Sequence, residues 1–261
     1  MKILVCLKQV PHKDARLEVR TDGAWIKDEN VKFEINDYDS YALELALRVK
    51  DADPAKSTEV VVASVGPERV SQALRTALGM GADRAIQIWD PALEKADSLG
   101  IAKALAAVAK DQGFSLVVTG LMSDDTNFAL TGPMLAQLLG IPHITSVVKA
   151  DVSASGVQIE RELEGGALEV RDLPLPALLA VQTGINDVRY ASLKGIMAAK
   201  KKPLEKKSLA DLGLDAGRLA PKVRIEKIYP PTKGAGAELV AGNAAEQAAK
   251  VAGKIKELGL L

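Results

Sequence analysis

The sequence predicts an α/β fold: a mainly parallel sheet flanked by helices, a β-hairpin region, and an extended C-terminal arm ending in a helix. Three observations lead there. Short, continuously apolar runs recur at Ile3–Leu7, Glu59–Val65, Arg84–Ile88 and Ser115–Thr119, as strands buried on both faces require. Helical patterns lie between them, and strands alternating with helices make βαβ units. After about residue 150 the texture changes to that of a hairpin and then of a Lys-, Pro- and Gly-rich stretch.

The elements follow in order. Asp39 to Lys50 reads as a helix after Asn36-Asp37. Val70, Ala73, Leu74, Ala77 and Leu78 share one helical face, opened by Gly66-Pro67-Glu68, since Pro and an acid suit a first turn. Ile101, Leu105, Val108 and Gln112 form another stripe. Val157–Leu163 and Leu168–Val170 flank Glu164-Gly165-Gly166 as a hairpin, and Ala177–Val181 follows Pro174 and Pro176. Residues 200–235 read as an extended arm. Asn243 and Glu246 form a capping box for a last helix with Ala245, Ala248, Ala252 and Ile255 on one face. An arm of roughly 40 residues without a core of its own points to a partner subunit.

Composition narrows the function. The 261 residues allow one large domain or two small ones. Lys plus Arg and Asp plus Glu are 34 each, so the chain is no uniformly basic nucleic-acid binder. Aromatic residues are 3%, too few for single-strand stacking platforms. The single cysteine, Cys6, excludes an internal disulfide and a Cys-rich zinc site, and suits a reducing compartment. The longest uncharged run, Thr126–Val148, carries Asn127, Thr131, Gln137, His143 and two prolines and is a poor membrane span. A soluble protein of the cytoplasm or of an organelle matrix is expected.

Ligands of open α/β sheets bind at the carboxyl ends of the strands. Three loops follow such ends: Lys8–Lys13, Val65-Gly66-Pro67 and Gly120–Gly132. The last reads GLMSDDTNFALTGPM and enters a helix with Leu135, Leu138 and Leu139. Its backbone N–H groups can hold a phosphate, or simply cap the helix. Neither G-x-x-x-x-G-K-[ST] nor a strand-following G-x-G-x-x-G occurs. Asp124-Asp125 read as N-caps or solvated groups rather than as metal ligands. His12 and His143 are not paired by any motif, and Cys6 sits in a buried strand where a thiol is inert. No metal site is expected. Arg189, Lys194, Lys200, Lys201, Lys202, Lys206 and Lys207 interleave with Leu193, Ile196 and Met197. They read as a solvated face or as a docking patch for an acidic partner.

Four stretches carry a resemblance: ILVCLKQVP at the start, INDYDSYALELALRVK at 35–50, IERELEGGALEVRDLPLPALLAVQ at 159–182 and NDVRYASLKGIMAAKKKPLE at 186–205. Together they resemble the beta (small) subunit of electron-transfer flavoproteins. The resemblance implies a Rossmann-like fold of the adenine-nucleotide-binding type. It implies a heterodimer with an alpha subunit that holds most of the FAD. Electrons would pass from flavin dehydrogenases, such as acyl-CoA dehydrogenases, to a membrane-associated quinone oxidoreductase. The compartment would be the cytoplasm, or the mitochondrial matrix in a eukaryote.

By position, the nucleotide site would comprise Cys6, Asn36, Asp37, Tyr38, Asp39, Val65, Gly120, Leu121, Met122, Ser123, Asp124, Asp125, Thr126, Asn127, Phe128, Ala129, Leu130 and Thr131. Tyr38 falls where the family places an aromatic near the flavin ring, Leu193 on the docking anchor, and Glu162 on an acid facing the alpha subunit's flavin domain. Residues 1–190 would form the nucleotide-binding domain, and 191–261 the docking loop, arm and terminal helix against the alpha subunit. The family loop usually begins Gly, a basic residue, Gln, Ala, Ile, Asp, whereas this one begins Gly120-Leu121-Met122-Ser123-Asp124-Asp125. Asp37 stands where Pro is common. AMP, a second FAD with NADH-driven bifurcation, and an empty crevice therefore all remain open, beside a stand-alone nucleotide-binding regulator.

Overall fold

In the computed structural model, which describes residues 1–110, 112–232, 234 and 236–260, the first apolar run forms β1 (Lys2–Cys6). Ile3 and Val5 enter the core on one face of the sheet and Leu4 and Cys6 the core on the other. Burial on both faces is why no polar residue interrupts the run. An antiparallel ribbon, β2 (Gln9–Pro11) with β3 (Phe33–Ile35), leads to α1 (Asp37–Asp51). Then come β4 (Glu59–Val65), α2 (Val70–Met80), β5 (Arg84–Ile88), α3 (Ser98–Ala109) and β6 (Leu116–Gly120). After α4 (Thr131–Leu139) and β7 (His143–Val152), the hairpin β8 (Val157–Glu162) and β9 (Leu168–Leu173) turns through Gly165 and Gly166, both at positive φ. Glycine enters that left-handed region without steric cost.

The chain returns through β10 (Ala177–Val181), α5 (Leu193–Ala199) and β11 (Leu204–Lys207), and α6 (Ala244–Glu257) is the last element. The main sheet has the order β11-β5-β4-β1-β6-β10-β7-β8-β9. The pairs from β11 to β7 are parallel; β8 and β9 close the edge antiparallel. β4 flanks β1 on one side and β6 on the other, so the strand order reverses at β1/β6 and leaves a crevice at their carboxyl ends.

The α/β fold expected from the sequence stands, with two amendments. The stretch 200–235 is not extended throughout. β11 joins the sheet beside β5, and 3-10 turns occupy Ala210–Leu212 and Ala216–Leu219. Lys233 and Ala235 of that stretch lie outside the described residues. β7 also occupies a segment whose pattern announces no strand.

The chain forms two compact units, Met1–Glu18 with Lys27–Glu226, and Val19–Ile26 with Lys227–Leu261. The first holds both sheets and α1 to α5. In the second, Val19 bridges Ile26, and the Ile228 N–H donates to the Gly23 carbonyl at 2.8 Å. Asn243 and Glu246 form the expected capping box on α6, a helix with no buried residue. No helix among the described residues is long and apolar enough to cross a membrane.

Candidate functional site

The crevice is assembled by three chain segments that only the fold brings together. Asp39, in the first turn of α1, is 6% exposed. Its carboxylate accepts from the Lys8 N–H at 2.7 Å and from the Gly120 N–H at 2.9 Å, so one side chain ties the ends of β1 and β6. Gly120 is required for that closeness. A Cβ there would lie 2.5 Å from Asp39 Oδ1, 2.5 Å from Tyr38 Cβ and 2.8 Å from the Tyr38 carbonyl carbon.

Asn36 precedes α1 but does not cap it with its side chain. Its Nδ2 donates to the Met122 carbonyl at 2.8 Å, and its Oδ1 accepts from the Asp124 N–H at 2.9 Å. Asp124 returns the bond: its Oδ2 accepts from the Asp37 N–H at 3.1 Å. The acid of one loop thus caps the helix of another, where the helix dipole favours it.

The rest of the loop folds on Lys8. Its Nζ lies 2.6 Å from Asp125 Oδ1, 3.1 Å from Ser123 Oγ and 3.4 Å from Thr126 Oγ1. Ser123 and Thr126 hydroxyls meet at 2.9 Å. Asn127 and Ala129 hold positive φ angles of 52° and 53°, a strained choice for residues with a Cβ. Phe128 and Leu130 are exposed, and Thr131 opens α4 with no side-chain cap. Beneath that helix start, the buried Thr119 Oγ1 has no hydrogen-bond partner. A Cβ on Gly132 would come within 2.8 Å of it.

The electrostatics follow from burial. Loss of solvent pushes the Asp39 carboxyl up to about 7, against the opposing pull of the Lys8 and Gly120 N–H groups. Burial also raises the Cys6 thiol, and Asp39 adds to the effect, so Cys6 is a neutral packing group. Burial works to raise Asp125, but Lys8 outweighs it and holds that carboxyl below its usual value. Arg69 is solvent-exposed at the turn after β4, with part of its guanidinium shielded. Burial lowers its pKa, while Asp28 and Asp125 oppose that shift. It donates to Gln9 Oε1 at 2.6 Å and lies 3.9 Å from the Phe33 ring centroid.

The structure therefore joins Asn36, Asp37, Asp39, Gly120 and Met122–Thr126 into one hydrogen-bonded network, with Tyr38 set closely against Gly120 and Cys6 buried at the end of β1. Val65 ends β4 and packs on the same core as Cys6. Lys8, Thr119 and Arg69 went unassigned to the site in the sequence. The signal for Thr119 was a polar residue at the end of an apolar strand; Lys8 stood directly after one.

Leu193, Ile196, Met197 and Glu162 lie elsewhere. Ser192 caps α5, and Leu193 (79% exposed), Ile196 and Met197 form an outward apolar stripe at i, i+3 and i+4 beside the exposed Tyr190. Lys194, Lys200 and Lys201 are exposed around it. Lys202 is turned inward, its Nζ donating to the Leu78 and Ala82 carbonyls at 3.0 and 2.6 Å. Lys206 pairs with Glu68 at 2.6 Å. Glu162 is exposed at the end of β8, opposite Leu168 of β9.

The family model described as the electron transfer flavoprotein domain matches residues 24–212. The electron transfer flavoprotein subunit beta of Methylophilus methylotrophus is 39% identical over 98% of both chains. The mitochondrial subunit beta of Arabidopsis thaliana is 37% identical over 89% of this chain and 90% of its own. That of Mus musculus is 33% identical over 99% of this chain and 98% of its own. Matched by the domain over most of its length and by beta subunits along almost all of it, the chain belongs to the electron transfer flavoprotein beta-subunit family.

Proposed function

We propose that this chain pairs with an alpha subunit as a soluble electron carrier and holds a structural AMP in the β1/β6 crevice. In this reading the alpha subunit holds most of the FAD, whose chemistry is reversible electron uptake. Flavin dehydrogenases of the acyl-CoA type supply the electrons, and a membrane-associated quinone oxidoreductase accepts them. The observation that carries the nucleotide is the start of α4: uncapped by any side chain, with the orphaned Thr119 hydroxyl buried beside it. The two acids of the loop do not oppose a phosphate there, since Asp124 caps α1 and Asp125 is neutralised by Lys8. The loop's missing basic residue is thereby offset by a lysine from the end of β1.

In this reading the residues divide the work. Asn36 and Asp39 fix the loop, the N–H groups of Thr131 and Gly132 face the phosphate, and Tyr38 lies toward the flavin. Leu193, Ile196 and Met197 enter a pocket on the donor while Lys194, Lys200 and Lys201 steer the encounter. Glu162 meets the flavin-bearing domain of the alpha subunit, and the arm with α6 packs on that subunit.

The test is co-expression with the alpha subunit, followed by release and chromatographic quantification of bound nucleotides. One FAD and one AMP per heterodimer is the expected result. Two FAD would replace the carrier by a bifurcating subunit, and FAD alone would remove the nucleotide from the crevice. A stable, flavin-free chain that binds no alpha subunit would overturn the reading in favour of a stand-alone nucleotide-binding regulator.

A further inference from the structure

The apolar stripe of α5 is only as well placed as the loop before it, and that loop is pinned to α1 by an unusually full set of polar contacts. Arg189 donates from Nε to Glu44 Oε2 at 2.7 Å and from Nη2 to Glu44 Oε1 at 3.0 Å, a two-pronged grip on one carboxylate. Its backbone N–H reaches the same Oε2 at 3.3 Å, and its Nη1 lies 2.8 Å from Asp51 Oδ2. Arg48, one turn along α1, closes the set. It donates to Glu44 Oε1 at 3.0 Å and to the Asp187 carbonyl at 3.1 Å. Asn186 donates to the Tyr41 carbonyl at 3.1 Å.

Glu44 is 3% exposed. A carboxylate so buried is costly unless paired, and this one stands beside the buried Leu43 and Leu47 of the same helix. Burial works to raise its pKa, yet the bonds from Arg189 and Arg48 outweigh burial and keep it ionised. None of these groups lies at the crevice. Asp39 faces β1 and β6 from the first turn of α1, whereas Glu44, Arg48 and Asp51 face the loop before α5 from the later turns.

The other end of α5 is held separately. Arg75 of α2 donates to the Ala199 and Lys202 carbonyls at 2.6 and 2.8 Å. Between the two anchors Gly195 packs directly against the backbone of Gly79, with no room for a Cβ. The second anchor uses backbone carbonyls and the middle contact has no side chains. Arg189 with Glu44 is thus the side-chain pair that sets the register of Tyr190 and Leu193.

We propose that the Arg189–Glu44 pair is a positioning latch: it fixes the docking helix to α1 so that Leu193, Ile196 and Met197 are presented as one rigid anchor to the electron donor. This rests on the docking role proposed above for that stripe. An unlatched helix would pay the cost of ordering at each encounter, which lowers affinity without altering the electron-transfer step itself.

The experiment uses the co-expressed heterodimer with Glu44→Gln, Arg189→Lys and Leu193→Ala. Hydrogen exchange reads the latch alone. Exchange of the amides at 190–199 should rise about tenfold in Glu44→Gln and less in Arg189→Lys, which keeps the charge but loses the fork. The amides of β1 and of the loop 120–131 should not change. Reduction by an acyl-CoA dehydrogenase that reduces the unaltered heterodimer reads the consequence. Glu44→Gln should raise the KM for that donor about fivefold with kcat within about twofold, and Arg189→Lys should recover part of the loss.

Unchanged exchange at 190–199, or an equal rise at 120–131, overturns the latch. Slower reduction in Leu193→Ala together with unaltered KM in Glu44→Gln keeps the docking reading and overturns the latch as its determinant. Unaltered reduction in Leu193→Ala overturns the docking reading, and this proposal with it.

Discussion

The crevice at β1/β6 and the docking helix α5 are built by opposite means. The crevice is polar and inward. Asn36, Asp39 and Asp124 spend their side chains on backbone N–H groups and carbonyls, Lys8 spends its own on Asp125, Ser123 and Thr126, and almost nothing apolar is displayed except Phe128 and Leu130. The docking helix is apolar and outward. Its polar anchors sit behind it, on α1 and α2, and its apolar side chains face solvent. The difference matches the partners proposed for each. A small anionic ligand is held by directed hydrogen bonds from a rigid frame, whereas a protein surface is met by a few apolar anchors within a charged rim.

Substitutions should separate the two regions. The largest effect is expected from Gly120→Ala, whose added Cβ would collide with Asp39 and with the backbone of Tyr38. It should cost about 3 kcal/mol in urea unfolding and abolish bound nucleotide. Retention of nucleotide would mean that the close approach of β6 to α1 is not what shapes the crevice. Gly195→Ala is the counterpart at α5. Its Cβ would meet the Gly79 carbonyl, and the loss should be about 2 kcal/mol, with nucleotide content intact and donor reduction impaired.

Asp39→Asn sharpens the comparison through pH. The Asp39 carboxyl sits at about 7, above its ordinary 3.8, so the folded state binds this proton more tightly than the unfolded one. Its contribution is therefore most favourable below the ordinary value and fades as pH rises through about 7. Stability of the unaltered protein should fall between pH 5 and pH 8 by at least about 1 kcal/mol more than that of Asp39→Asn. Parallel stability curves would remove Asp39 as a source of the dependence.

The smallest effect on folding is expected from Leu193→Ala. A side chain 79% exposed in this chain contributes little to its own fold, so urea stability should move by no more than about 0.5 kcal/mol. Donor reduction should nevertheless slow about tenfold. A large loss of stability would instead place Leu193 among the packing residues of α5.

Much of the fold was legible because burial on both faces leaves a local mark. The runs at β1, β4, β5, β6 and β10 contain no charge beyond their ends, and the stripe of α2 falls at helical spacing. β11 was not legible. Its sequence, Leu204-Glu205-Lys206-Lys207, is that of an exposed edge, where charged residues guard unpaired backbone groups and the apolar signal vanishes. β7 was hidden for a related reason: most of its residues are only partly buried, so the pattern is diluted. In the site, the loop Gly120–Thr131 was found because it follows a strand and precedes a helix. Lys8 was not assigned to it, because nothing local distinguishes a lysine at a strand end that serves a loop over a hundred residues away, and Thr119, directly before the loop, read only as the end of a buried strand.

By itself, the sequence determined the strand and helix periods, the capping box at Asn243, the glycine turn of the hairpin and the candidate crevice loop. Each depends on neighbours a few residues apart, where period, propensity and turn geometry act. Tertiary structure alone decided that Asp124 caps α1 and that Lys8 neutralises Asp125. It also decided that Lys202 turns inward while Leu193 turns outward, and that Glu44 is buried beneath Arg189. Those roles rest on which distant groups share a hydrogen bond and how much water is excluded there, and neither quantity is encoded in any local stretch of chain.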